Sequence, residues 1–271
     1  MWVSYKSAEL IVSYIETTAY KIDAHIHKYY EFLWFIAGDA AFIIDSEIHQ
    51  LRPGEIILTT PDKLHTISFN SSSDYKRFFI QLSPHMLSQI PAGLVKNITG
   101  VERSKIIDHE TADAYKLYDY YDRLAELLKD KTKQSERDKF VASLIAKEFA
   151  IAASEAIGKA GQAYDSLENP VVGKLKEYID KNFSRDITLD EIAKSFYLNK
   201  YYICHLFKAE TGITINDYIA LKRIAASREL KNGDMAIGDI YRRCGFNDYS
   251  SFYRAIRKYT GMKPSEFLGK H

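Results

Sequence analysis

His25, His27, Glu31 and His65 are the side chains of this 271-residue sequence best suited to direct chemistry. In an extended segment, residues two apart share a face, so His25 and His27 point the same way. Glu31 and His65 complete a nitrogen and oxygen set of the kind that holds a divalent transition metal. The same four groups are equally suited to a polar pocket, bonding a small molecule or one another. A loaded metal site would admit a metal-dependent enzyme. No Gly-rich phosphate loop, nucleophile elbow or paired-cysteine zinc motif points to any other catalysis. Leu33, Phe35, Ile67 and Phe69 fall on the matching parity and supply apolar walls, either to a pocket or to a plain core.

A β-rich framework must position these residues. From residue 8 to about 83 the chain reads as strands: HIHKYYEFLWFIAG (25–38), AAFIID (40–45), EIILTT (55–60), HTISFN (65–70) and KRFFIQL (76–82). Turn signals at Pro53-Gly54, Pro61-Asp62 and Asn70 to Ser73 separate them, the pattern of an antiparallel barrel or sandwich. The period then changes. Leu117, Tyr121, Leu124 and Leu128 in 112–131, and Phe140, Val141, Leu144, Ile145 and Phe149 in 136–158, recur at helical spacing. A short polar connection makes these two helices antiparallel neighbours. GKAGQAYDSLEN (158–169) reads as a linker stopped by Pro170, and beyond it the chain is helices joined by tight turns.

A second kind of chemistry sits in that tail. Thr188 and Glu191 have capping-box spacing, so a helix starts at Thr188. Leu189, Ile192 and Ala193 face inward, Leu198 lies in a turn, and Asn199 caps the next helix. There Ile203, Leu206 and Phe207 point in while Lys200, Tyr201, Cys204, His205 and Lys208 point out. Two short helices with a tight turn and a polar second helix suit insertion into a DNA major groove. The pattern returns 48 or 49 residues later: Ile192 matches Ile240, Leu198 matches Phe246, Phe207 matches Ile256 and Gly212 matches Gly261. Gly245 supplies the turn, Asp248 caps a helix from Tyr249 to Tyr259, and Tyr249, Ser250, Arg254 and Arg257 face out. Residues 214–232 read as one stiff helix joining the copies.

Bulk properties agree. The net charge of +1 hides 18 Lys/Arg against 12 Asp/Glu in 170–271, a balance of +6, and 19 against 24 in 1–169, a balance of −5. A basic third on an acidic body fits a surface that meets phosphate. No apolar run approaches the roughly 18–20 residues of a membrane span, and the first residues lack the marks of a signal peptide. The only cysteines, Cys204 and Cys244, read as free thiols of a cytoplasmic protein.

Residues 171–271 resemble the DNA-binding domain of the AraC/XylS family of bacterial regulators. The resemblance rests on DEIA (190–193), HLFKAETG (205–212), DYI and KRIAASREL (217–219, 222–230), CGFNDYSSFYR (244–254) and RKYTGMKPSEF (257–267). Ile256 in place of Phe, Ser227 in the linking helix and Cys204 on the outer face depart from the usual pattern. The resemblance implies two recognition helices in successive major grooves, with sites about 10 bp apart. By position, Tyr201, Cys204, His205, Tyr249, Ser250 and Arg254 are expected to read bases, and Lys200, Lys208, Arg257 and Lys258 to touch phosphate. Residues 25–65 resemble a cupin: His25-x-His27-x-x-x-Glu31 with Gly38 matches its first motif, and Gly54, Pro61 and His65 its second. Cupin barrels in front of such DNA-binding domains bind small effectors, often sugars. The implied fold is α+β: a cupin-like antiparallel β-barrel followed by two helices (1–160), a linker (161–170) and an all-α double helix-turn-helix domain (171–271). The expected role is a transcription regulator, not an enzyme, with no metal or cofactor. His25, His27, Glu31, Leu33 and His65 would bind the effector, which would change the barrel or its N-terminal arm (1–20). The expected partners are double-stranded DNA, the effector, a second copy of the chain through 112–158, and RNA polymerase, with no membrane. An effector-independent DNA-binding regulator is the other reading.

Overall fold

The structure, a computed structural model, describes residues 4–18, 25–44, 47–69, 74–101, 104–129, 134–160, 169–231, 235 and 237–269. Among the described residues, nine strands come first: β1 Ser4–Lys6, β2 Leu10–Thr18, β3 Tyr30–Ala37, β4 Ala40–Ile44, β5 Glu47–Gln50, β6 Ile56–Thr59, β7 His65–Phe69, β8 Asp74–Leu82 and, after helices α1 Pro84–Ser88 and α2 Ala92–Thr99, β9 Lys105–Ile107. Helices α3 His109–Ala114, α4 Leu117–Leu128 and α5 Glu136–Ala160 close this half. The second half is α6 Pro170–Asn182, α7 Leu189–Ser195, α8 Lys200–Thr211, α9 Ile215–Lys231, α10 Ile237–Arg243, α11 Tyr249–Thr260 and α12 Pro264–Phe267. No helix of the described residues is long and apolar enough to cross a membrane.

Alternation along the strands explains how the β half closes. All strand pairs are antiparallel, in a six-stranded sheet ordered β1-β2-β8-β3-β6-β9 and a three-stranded sheet ordered β5-β4-β7. On β8, Phe78, Ile80 and Leu82 face one way and join the core under α4 and α5, with Phe32, Tyr121, Leu124 and Phe149. Tyr75 and Phe79 face the other way, into a core shared by both sheets with Leu33, Phe35, Phe42, Ile57 and Ile67. Each side-chain parity thus has its own buried destination, which locks the register.

Several expectations need correction. The N-terminal arm (1–20) belongs to the larger sheet where it is described. Within it, β1 and β2 are strands of the larger sheet, and Leu10 and Val12 lie in the helix-facing core, because their alternation continues that of β8 across the ladder; residues 1–3 and 19–20 lie outside the described residues. The strand read over 25–38 starts only at Tyr30. Before it, His25 forms an isolated antiparallel bridge with His65, and the His27 carbonyl accepts from the Asp62 amide, so this segment leaves β3 to pair beside β7. The helix read over 112–131 is two: Asp108 caps α3 early by accepting from the Thr111 amide, and Lys116, left-handed at φ 53°, separates it from α4. Helices α1 and α2 and strand β9 fall within 84–107, outside the elements read from the sequence. Most of the linker, 161–168, lies outside the described residues; its first residues, 158–160, belong to α5, and Pro170 ends it by opening α6 behind the Asn169 cap.

In the helical half, each expected cap is present. Thr188, Asn199 and Asp248 accept from the amides of Glu191, Tyr201 and Ser251. The Glu191 carboxylate does not complete the capping box: it binds Arg185 Nη1 at 2.6 Å and the Tyr178 hydroxyl at 3.1 Å. Gly212 and Gly261 end α8 and α11 in the left-handed region, at φ 76° and 68°, where glycine costs least. Ile192, Phe207, Ile240 and Ile256 are fully buried, so the repeat in the sequence is a repeat in the cores.

Candidate functional site

The two helix-turn-helix units are superposable in their local chemistry. The Leu198 amide donates to the Ala193 carbonyl and the Phe246 amide to that of Tyr241, both at 3.0 Å. The turn residue is Tyr197 in the first unit, at φ 54°, and Gly245 in the second, at φ 87°. A side chain tolerates the first turn because it points to solvent: Tyr197 is 97% exposed. At Gly245 a Cβ would lie 2.5 Å from the Phe183 carbonyl oxygen, so only glycine fits. Sequence spacing does not single out Tyr197, and its exposure beside the recognition helix adds an aromatic group to that face.

On α8, Tyr201, Cys204, His205 and Lys208 line one open cleft of about 410 Å³ with Leu189, Thr214, Ile215 and Asn216. Four expected DNA-contacting residues of the first unit therefore share one concave surface. Burial pushes the Cys204 thiol up, against the pull of Lys200, which favours the protonated thiol over the nucleophilic thiolate. Lys200 lies at the edge, bonded to Asp190 at 3.0 Å. On α11, Tyr249, Ser250, Arg254, Arg257 and Lys258 are all exposed, while Phe252 and Ile256 are fully buried beneath them. Arg254 touches the Ser251 hydroxyl at 3.2 Å and Arg257 the Gly261 carbonyl at 2.6 Å. Lys258 is engaged more firmly, on Asp217 at 2.8 Å and on the Tyr259 hydroxyl at 2.9 Å. It ties α11 to the start of α9, and Tyr259 also donates to Asp217.

The three histidines converge inside the β half. The ring centroids of His25 and His65 are 4.4 Å apart and those of His27 and His65 4.8 Å. One nitrogen from each of the three rings lies within 4.8 Å of the others. Ligands about 2.1 Å from one tetrahedral ion would be nearer, roughly 3.4 Å apart, so a cation here requires the rings to close in. Glu31 lies beside them, 3.3 Å from His27 Nε2 and 3.8 Å from His65 Nε2. The Gln81 amide donates to its carboxylate at 2.5 Å. Burial would push the Glu31 carboxyl up, but the His27 hydrogen bond and the fields of His65, His27 and Arg77 hold it well below the usual carboxylate range. Leu33, the fifth expected pocket residue, is fully buried in the interior apolar core.

His65 is the most constrained of the set. Its Nδ1 is 2.9 Å from the Lys63 carbonyl, which assigns the ring proton to Nδ1 and leaves a lone pair on Nε2. That Nε2 is buried without a hydrogen-bond partner. Burial pushes the His65 pKa down to about 4. Because the unfolded chain takes up this proton near pH 6.5, its contribution to stability is complete above pH 6.5 and lost as pH falls toward 4. The expected loss is on the order of 2–3 kcal/mol. Urea titrations from pH 7.5 to 4 check this: His65→Gln should flatten the acid limb, and an unchanged slope would contradict the assignment.

The outer side of this segment meets the helical half. Ile26, between His25 and His27, and Leu64, next to His65, pack into the core of the second unit with Ile224, Ile240, Phe252 and Phe267. Arg228 of α9 donates to the Asp62 carbonyl at 2.6 Å and lies over the Phe267 ring. Ile43 and Ile48, on the outer face of the smaller sheet, join the core of the first unit.

Residues 9–151 match the model of the AraC-like ligand binding domain, and residues 192–270 match that of a helix-turn-helix domain. Among curated proteins, the chain is 29% identical over 130 residues to the Msm operon regulatory protein of Streptococcus mutans, covering 48% of this chain and 44% of that protein. It is 31% identical over 97 residues to the Melibiose operon regulatory protein of Escherichia coli K12, covering 35% and 32%. The chain thus spans less than half the length of these relatives. Among solved structures, ToxT from Vibrio cholerae aligns over 96% of this chain and 98% of its own, at 16% identity and a TM-score of 0.38.

Proposed function

The chain belongs to the AraC family of transcription regulators, with a ligand-binding domain and a helix-turn-helix DNA-binding domain, and from that membership we propose that it binds specific DNA sequences under the control of a small effector held in the barrel. Residues 1–160 form the sensing unit and 171–271 the reading unit. Tyr201, Cys204 and His205 on α8, and Tyr249, Ser250 and Arg254 on α11, read base edges in successive major grooves. Lys200, Lys208, Arg257 and Lys258 touch phosphates. His25, His27, Glu31, Leu33 and His65 receive the effector, a sugar being the family's frequent choice. The role is regulatory rather than catalytic; stoichiometric iron or manganese in the purified protein would instead favour a metal-dependent enzyme.

One observation carries the coupling of the two halves. Along 25–27 and 64–65, the clustered histidines alternate with Ile26 and Leu64, which pack into the second helix-turn-helix core. An effector that draws the histidines together moves the apolar residues between them, biasing how the reading unit docks. A few kcal/mol of differential binding is enough to move such an equilibrium far. The family's dimeric habit is supported by α5, where Phe140 and Leu144, one turn apart, are 65% and 49% exposed. A second copy covering them would present paired reading units to DNA. Contact with RNA polymerase and a cytoplasmic location belong to the same reading.

Binding assays on matched and mismatched duplexes test the assignment of roles. Arg254→Ala should cost about 1–3 kcal/mol and relax the preference at one base pair. Lys208→Ala should weaken binding to all sequences alike and reduce the salt slope by about one. Equal losses from both variants on every sequence would refute the division between base readers and phosphate contacts.

A further inference from the structure

We propose that the effector carries a carboxylate, and that Arg77, buried inside the barrel, is the residue that receives it. This rests on the reading of the barrel as the effector site and adds to it a chemical class and an anchoring residue outside the expected set.

The direction of Arg77 follows from its strand. Its neighbours Phe78 and Ile80 face the helices, whereas Tyr75 and Phe79 face the interior shared by the two sheets. Arg77 has the interior parity, and its guanidinium carbon lies 5.9 Å and 5.5 Å from the Tyr75 and Phe79 ring centres. The residue is 9% exposed, and its Nε is buried without a hydrogen-bond partner. No carboxylate lies within 4 Å of it among the described residues, although its field acts on Glu31. A buried guanidinium normally has an anion on its fork, because desolvation without one is costly. Two aromatic faces offset only part of that cost. Here the fork points into the same interior as the histidines.

The other unpartnered atoms in that interior fit the far end of such a molecule. Thr59 Oγ1 is buried without a partner, on a residue whose backbone pairs with Glu31. His65 Nε2 offers a lone pair, and Glu31 and Gln81 stand beside it. These accept hydrogen bonds from hydroxyl or amino groups, while Arg77 favours a planar carboxylate, bound by two parallel N–H donors. A hydroxy acid or a sugar acid satisfies both ends. A neutral sugar satisfies only the histidine end and leaves the guanidinium unpaired.

Thermal unfolding of the full chain with matched pairs of probes tests this: glucuronate against glucose, and lactate against lactamide. The acids are expected to raise Tm by about 2–4 °C or more at saturating concentration, with little effect from the neutral partners. Arg77→Met should abolish the acid response while leaving the free protein as stable as the wild type or more so, since it removes an unpaired buried charge. Arg77→Lys keeps the charge without the fork and should retain part of the response, which holds the test open if the Met variant folds poorly. Neutral partners that stabilise as much as the acids, in wild type and Arg77→Met alike, would overturn the carboxylate while leaving the barrel as an effector site. No response to either acid would overturn the proposal without touching the DNA-binding assays above.

Discussion

Gly245→Ala is expected to unfold the second helix-turn-helix unit at markedly lower denaturant than the wild type, with a loss of ~2–4 kcal/mol. Two effects add. The backbone sits at φ 87°, where an L side chain costs roughly 1–2 kcal/mol. The new methyl would also lie 2.5 Å from the Phe183 carbonyl oxygen and 2.8 Å and 2.9 Å from the carbonyl carbon and oxygen of Ser184. Those are backbone atoms at the end of α6, and Arg223 holds them in place with hydrogen bonds to the Phe183 and Arg185 carbonyls. The clash cannot be relieved by rotating a side chain, so α10 and α11 must shift, and the base contacts proposed for Arg254 should weaken. Urea denaturation and DNA binding measure the two consequences. The equivalent turn in the first unit predicts the opposite sign: Tyr197→Gly removes left-handed strain from an open position and should stabilise by up to about 1 kcal/mol. A Gly245→Ala protein with wild-type stability would contradict the close fit between α6 and the second unit.

Leu64→Asp is expected to undock the two halves of the chain. Leu64 is 4% exposed among Ile224, Ile240, Phe252 and Phe267, and a carboxylate there must either lose its hydration or leave the contact. Leaving costs less, because apart from Ile26 the remainder of that core belongs to the helical half and stays packed. Small-angle scattering should then show a larger radius of gyration, with α-helical content unchanged. The DNA affinities with and without a barrel ligand, which allosteric coupling typically separates about 5–150-fold, should converge. An unchanged radius together with a retained ligand response would refute the docking route through Leu64.

The sequence made the reading half more legible than the sensing half, for physical reasons. Helical recognition units are built from local contacts, and a cap, a glycine and an apolar period each leave a mark within a dozen residues. Asn199, Asp248, Gly212, Gly245 and Gly261 all stand where those marks imply. The clustering of His25, His27 and His65 was also legible as a set, although not through a shared strand: an isolated bridge between His25 and His65 brings them together. Arg77 was not legible. It lies in an alternating strand whose two faces are both buried, and only the ladder tells which face is interior. The contact of Ile26 and Leu64 with α9 and α10 joins residues about 160–200 positions apart, and no local pattern encodes it. Lys258 shows the reverse problem: it is exposed on α11, but its pairing with Asp217, 41 residues away, depends on how α9 and α11 cross.

Selection of binding sites from random duplex DNA, using the full chain at moderate salt, tests the central claim most directly. Two similar units held by the 17-residue helix α9 should enrich a motif of two short elements with centres about 10 bp apart, and Arg254→Ala should blur a single position in one of them. A pool that stays random while the protein remains folded would contradict the account, as would a motif with only one element.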